Sequence, residues 1–316
     1  MFIQTGITVF NAIFQLFIIS LAAGILTRKG VVKGEQVSAL SDVTVNVFLP
    51  CLIVAKILVQ FDPETLPLWW IMPLSGAIMV VAGLFLSGLF FKFRREKRPL
   101  MTLASMQNGI YIVLPIGQIL FPDQFDVFAF YCFLLVLGLN PVVWSLGKVM
   151  ISGKANTDIR LKDFVTPPLA AIFFSVAAVF SNLVAYIPKS IIASVDILGK
   201  ATVPAAVFVL GATMGTISLR QMPNLKDILV VALVKFMLIP AGTFAVLYWG
   251  GIYESLPLFC NMLIIQACAP PATNLILIVK SYGGDSQAIS TMMLVLYGLS
   301  ILIMPMWISA WLALIN

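Results

Sequence analysis

A bundle of membrane-spanning helices, built as two inverted halves of five, is predicted by three observations. Of the 316 residues, 61% are hydrophobic and only 10% are charged, against about 45–50% and about 25% in a soluble domain. The apolar residues fall into ten runs, each near the roughly 20 residues that a bilayer core of about 30 Å requires. An Asp/Pro pattern in the first half of the chain returns in the second at a constant offset.

The composition also excludes function classes. The sequence contains no histidine, so a His-dependent catalytic triad, a His metal site and an imidazole proton relay are ruled out. Cys51, Cys132, Cys260 and Cys268 sit in apolar runs with no CxxC pair and read as small buried hydrophobes. No nucleophile with a base, HExxH motif or acid pair is present, so an intramembrane enzyme is not expected. No cofactor or metal is expected either.

The runs lie at roughly 5–26, 36–59, 67–91, 100–120, 124–149, 163–186, 189–215, 225–249, 256–280 and 285–314. The first lacks a basic flank and a small-residue cleavage site, and reads as a spanning helix rather than a signal peptide. Arg28, Lys29 and Lys33 follow the first run, and Lys92, Arg94, Arg95, Lys97 and Arg98 the third. Lys148, Lys154, Arg160 and Lys162 follow the fifth, Arg220 and Lys226 the seventh, and Lys280 the ninth. The even loops carry only Lys189, with Asp62, Glu64, Asp123, Asp126 and Glu254. By the positive-inside rule the odd loops are cytoplasmic and both termini extracytoplasmic. This placement accounts for a net charge of +6 without a nucleic-acid partner; the partner it implies is the lipid bilayer.

In the second run Asp42 precedes Pro50 by eight residues, and in the seventh Asp196 precedes Pro204 by eight, both pairs displaced by 154. Pro115 in the fourth run and Pro270–Pro271 in the ninth are displaced by 155 and 156. The chain divides into a first repeat, 1–150, and a second, 151–316. An odd number of spans per repeat makes the second enter from the opposite side, the pattern of alternating-access transporters with a site near the midplane.

The fourth run centres on Gln107, Asn108, Gly109 and Pro115; the ninth on Gln266, Pro270, Pro271, Thr273 and Asn274. A mid-helix proline costs about 3 kcal/mol or more, and broken backbone survives at membrane depth only when buried in protein or lining a cavity. The freed N–H groups at each second half-helix form an anion site, with Asn108 and Asn274 adding amide donors. Lone prolines such as Pro73 and Pro240 read as packing kinks. Asp42, Lys56, Asp196, Lys200 and Lys235 lie inside spans, each at a cost of about 2.5–3.5 kcal/mol if charged at the centre. Asp196 and Lys200 share a helix face; Lys56 is placed to snorkel to the outer interface; Lys235 is deeper, with no local partner, and is a candidate attractor of an anion. Asp42 and Asp196, placed symmetrically, are candidate coupling groups with Lys200.

Asn108-Gly109 followed by Leu114-Pro115, the run Pro270 to Asn274, and Tyr282-Gly283-Gly284-Asp285 resemble the auxin efflux carrier family, and the likeness extends over essentially the whole chain. The family includes plant auxin carriers and bacterial permeases proposed for malonate and malate. The resemblance implies a bile acid/sodium symporter-like fold whose fourth and ninth helices are broken and crossed. A scaffold of spans 1, 2, 6 and 7 would face a transport domain of spans 3–5 and 8–10, paired as a homodimer in a bacterial inner membrane. It implies transport of a small organic anion, with Asn46, Tyr111, Gln266 and Thr273 lining the pocket beside Asn108, Asn274 and Lys235. The broken runs carry amides and hydroxyls but no carboxylate, which favours proton coupling or uniport over sodium. A channel, or a sensor without coupled transport, is the alternative.

Overall fold

The computed structural model describes residues 2–142, 145–146, 150, 166–217, 222–273, 275 and 286–315. Among them the chain is helical, and the extended pairing is an isolated bridge between Gln107 and Pro271. The helices are α1 (Phe2–Arg28), α2 (Gly34–Gln60), α3 (Ile71–Phe91), α4 (Arg98–Ser105), α5 (Val113–Leu120) and α6 (Phe125–Val142). They continue as α7 (Pro167–Phe180), α8 (Lys189–Gly215), α9 (Leu225–Trp249), α10 (Pro257–Ala267) and α11 (Ser286–Ile315). Seven of them, α1, α2, α3, α6, α8, α9 and α11, are long and apolar enough to cross a membrane. Large apolar side chains such as Phe85, Phe173, Phe174, Ile197 and Trp249 stand exposed on the outside of the bundle, where lipid rather than water suits them. The protein is therefore a multi-pass membrane protein.

The fourth run is interrupted. Helix α4 ends at Ser105, Met106–Ile112 is non-helical, and α5 resumes at Val113. Pro115 does not sit at the break: as the third residue of α5 it needs no intrahelical donor there, so it fits without penalty. Pro73 is likewise the third residue of α3, and starts that helix rather than kinking it. The ninth run unwinds after Ala267, as its paired prolines require.

Three other prolines distort long helices in ways their chemistry dictates. A proline removes the N–H that the carbonyl four residues back would accept, and its ring crowds that carbonyl. Helix α2 widens into a π-turn at Thr44–Phe48, just ahead of Pro50, and α9 does the same at Val234–Leu238, ahead of Pro240. Pro240 leaves Phe236 O without its helical donor, and Trp307 Nε1 of α11 takes the vacancy at 2.7 Å. Helix α8 is offset between Gly199 and Thr202, before Pro204.

Small residues let the helices approach. A Cβ on Gly211 would overlap the Ser20 backbone, and one on Gly215 the Gly24 backbone, so α1 and the second half of α8 touch main chain to main chain. Gly76 and Gly138 do the same for α3 against α6, and Gly199 for α8 against Leu52 of α2. Helix α2 also packs on α7, α3 on α4, and α1 on α11.

A candidate substrate site at the crossing of two interrupted segments

The non-helical stretches after α4 and α10 meet and pair. Asn108 N–H donates to Pro270 O at 2.8 Å, and Ala272 N–H donates to Met106 O at 3.0 Å. Each stretch thereby satisfies backbone groups that the other's break has freed, which is the condition for unwound backbone at membrane depth. The crossing is tied to α11 by one side chain. Asn108 Nδ2 donates to the Tyr297 hydroxyl at 2.8 Å, and that hydroxyl donates to Pro271 O at 2.8 Å. Asn108 Oδ1 accepts from Tyr111 N–H at 2.9 Å and from Ile110 N–H at 3.3 Å, so it caps the approach to α5.

Lys235 is fully buried in the π-turn of α9, and its Nζ donates to Met106 O at 3.3 Å, the same carbonyl that holds Ala272. Gln107 and Gln266 are also fully buried, and among the described residues neither amide has a hydrogen-bond partner on its nitrogen or oxygen. Unsatisfied buried amides cost about 1–3 kcal/mol each, and here two of them flank the crossing.

A cavity of about 390 Å³ lies beside it. Leu16, Ser20 and Gly24 of α1 and Leu210, Gly211 and Met214 of α8 form one wall; Tyr111 and Ile112, Ile116 of α5, and Tyr297, Ser300 and Met304 of α11 form the other. Among the described residues the lining is apolar apart from a few hydroxyls and the charge of Arg28, whose Nη2 donates to Ile217 O at 3.2 Å. The Tyr111 hydroxyl lies beside Ser41, near Asp42.

Of the residues read from the sequence as candidates, the structure brings Asn108, Pro270, Pro271 and Lys235 to the crossing and Tyr111 to the cavity wall. Gly109 is half-buried against Val136, Pro115 is buried within α5, and Thr273 is half-buried. Gln266 is buried in the last turn of α10. Asn46 and Asp42 are exposed on α2 and do not line the cavity. Asn274 lies outside the described residues. Asp196 and Lys200 pair as expected, Oδ2 to Nζ at 2.9 Å. Lys56 does not snorkel: it is 6% exposed, because Asp196 Oδ1 at 2.7 Å and Asp126 Oδ1 at 2.9 Å hold its ammonium inside. Tyr297, Arg28 and Asp126 were not legible as candidates. Tyr297 stands in an unbroken apolar run, and its partner Asn108 is 189 positions away.

Long apolar helices, two interrupted segments that satisfy each other, and a cavity beside their crossing define an integral membrane protein with an internal site. The family model described as membrane transport protein matches residues 8–123 and 153–308. The chain belongs to that family, which is the auxin efflux carrier family that its motifs resemble. An uncharacterized transporter of Methanocaldococcus jannaschii is 23% identical over 285 residues, covering 88% of this chain and 91% of its own length. A candidate malonate transporter of Rhizobium meliloti is 29% identical over 135 residues, covering 43% of this chain and 40% of its own length. Family and relatives point to a membrane transporter rather than an enzyme.

Proposed function

We propose that this protein is a secondary transporter of a small organic anion, a carboxylate such as malate, malonate or an auxin-like acid, working by elevator-type alternating access. The observation that carries this reading is the hydrogen-bonded crossing of two interrupted segments next to a cavity. In this reading ten spans form two inverted repeats, 1–150 and 151–316. Helices α1, α2, α7 and α8 are the scaffold, and α3 to α6 with α9 to α11 the transport domain. The packing of α1 on α8 and of α2 on α7, against that of α3 on α4 and α6, supports the division. So does the cavity, whose walls come one from each set.

The anion would sit between Tyr111, Tyr297 and the start of α5, with the buried Lys235 amine behind the crossing. Opening of the crossing would free the Asn108 amide and the N–H groups it covers. Asp42, close to the Tyr111 hydroxyl, is the coupling group this arrangement favours if transport is proton-linked. Asp196 is held between two lysines and is less available. The reading includes a homodimer in a bacterial inner membrane with both termini outside. An inside-negative potential, worth about 2.3 kcal/mol per charge per 100 mV, then favours anion export.

Solid-supported-membrane currents on proteoliposomes test the proposal with a panel of mono- and dicarboxylates, malonate first because one relative bears its name. A saturable current with at least one acid is expected; silence across the panel with folded protein would sink it.

A further inference from the structure

Lys56, Asp126, Asp196 and Lys200 form a four-charge chain that joins three helices. Lys56 of α2 is buried between Asp196 of α8 and Asp126, the second residue of α6, while Asp196 also holds Lys200. The chain stands at the opposite end of the bundle from Arg28. Helices α1 and α2 are joined by the short turn that follows Arg28, and Lys56 lies in the far part of α2. On α8 the segment near Gly215 packs on Gly24, close to Arg28, and Asp196 lies near the other terminus. The cavity reaches Arg28, so the ion pairs tie the helices together at the end away from it.

The four residues are not held alike. Lys56, Asp196 and Lys200 belong to α2 and α8, which pack directly on each other through Gly199 and Leu52. Asp126 alone comes from α6, and its side chain is 53% exposed while that of Lys56 is 8% exposed. The asymmetry sets the cost of separation. If Asp126 leaves, a carboxylate that is already half-exposed becomes fully exposed, and Lys56 keeps Asp196. No buried charge is stranded, which is the expensive outcome of breaking a buried pair. If Asp196 were the group removed, both lysines would lose a partner at once. A pair with one half-exposed partner is weak, which suits a contact that opens and closes.

We propose that the Lys56–Asp126 pair is a latch: it closes the end of the pathway opposite Arg28 in the arrangement seen here, and its release lets α6 move away from α2 and α8. The proposal rests on the division into scaffold and transport domain made above. Its test does not need the substrate. Nitroxide labels on Asp123→Cys and Lys189→Cys, both exposed near this end, report the α6-to-α8 separation by double electron–electron resonance in the purified full chain. Cys51, Cys132, Cys260 and Cys268 are replaced beforehand; because three of these are buried, labelling on the native background is the second route if the replaced protein folds poorly. Asp126→Asn is expected to add a longer-distance population absent from the parent, Lys56→Gln to do the same, and Asp126→Glu to restore the parent distribution. Identical distributions in the parent and in both Asp126→Asn and Lys56→Gln would overturn the latch. A distance shift in a protein that carries no carboxylate would leave the latch standing and remove the transport proposal.

Discussion

Asn108 has every polar group of its amide and backbone N–H engaged: Pro270, Tyr297, Tyr111 and Ile110 all depend on it. Read in the sequence, it was a donor waiting for a carboxylate. In the structure it is first the clasp of the crossing: one of the two Nδ2 hydrogens is committed to Tyr297, and only the second is left to offer an anion. Tyr297→Phe leaves Asn108 Nδ2 and Pro271 O without the shared hydroxyl, a loss of about 1–3 kcal/mol for each stranded group. The variant is expected to unfold several degrees earlier than the parent in detergent. Asn108→Ala is expected to lower stability and abolish anion binding together, and combined with Tyr297→Phe to cost less than the sum of the two, as coupled residues do. Additive losses in that cycle would show that the hydroxyl does not link them. The clasp was invisible beforehand because nothing in a run of apolar residues marks which tyrosine will meet an asparagine from the other half of the chain.

Prolines mark where helices deform, but the surroundings decide how. Pro115 suggested a break in the fourth run, yet the break comes before it, at Met106–Ile112, where pairing with the second interrupted segment repays the lost helical bonds. Pro240 suggested a kink; the helix answers with a π-turn, and Trp307 supplies the missing donor to Phe236 O. Trp307→Phe is therefore expected to destabilise by about 1–3 kcal/mol. Pro240→Ala, which returns an N–H to α9, is expected to recover part of that loss; thermal unfolding of both variants and the double variant measures it. Glycines are as uneven. Gly211→Ala sets a methyl into the Ser20 backbone and is expected to separate α1 from α8, seen as loss of the monodisperse peak in size-exclusion chromatography. Gly242→Ala meets nothing within 4 Å and is expected to be neutral or stabilising, since alanine favours a helix by about 1 kcal/mol over glycine.

At the scale of the molecule, the class of solvent and the helical runs were legible because each rests on many residues at once. The 10% charged fraction and the length of the apolar runs do not depend on any single contact. The ion pairs do: Lys56 meets Asp126 and Asp196 only once three helices are assembled, so it read as a lysine bound for the interface. The site shares that fate in part: Asn108, Tyr111 and Lys235 were read as candidates, but most of the cavity wall is apolar side chains of α1, α8 and α11 that carry no motif. The crossing, the cavity and the proposed latch all fit the proposal of a carrier that exposes one site alternately to the two sides of a membrane. Counterflow tests that most directly. Proteoliposomes are loaded with excess unlabelled acid, the one giving the largest current, and diluted into a trace of the same acid labelled. A carrier is expected to accumulate label transiently above equilibrium, saturably, with the overshoot lost in Asn108→Ala. Label that rises monotonically to equilibrium, at a rate linear in concentration, would contradict alternating access and identify a channel.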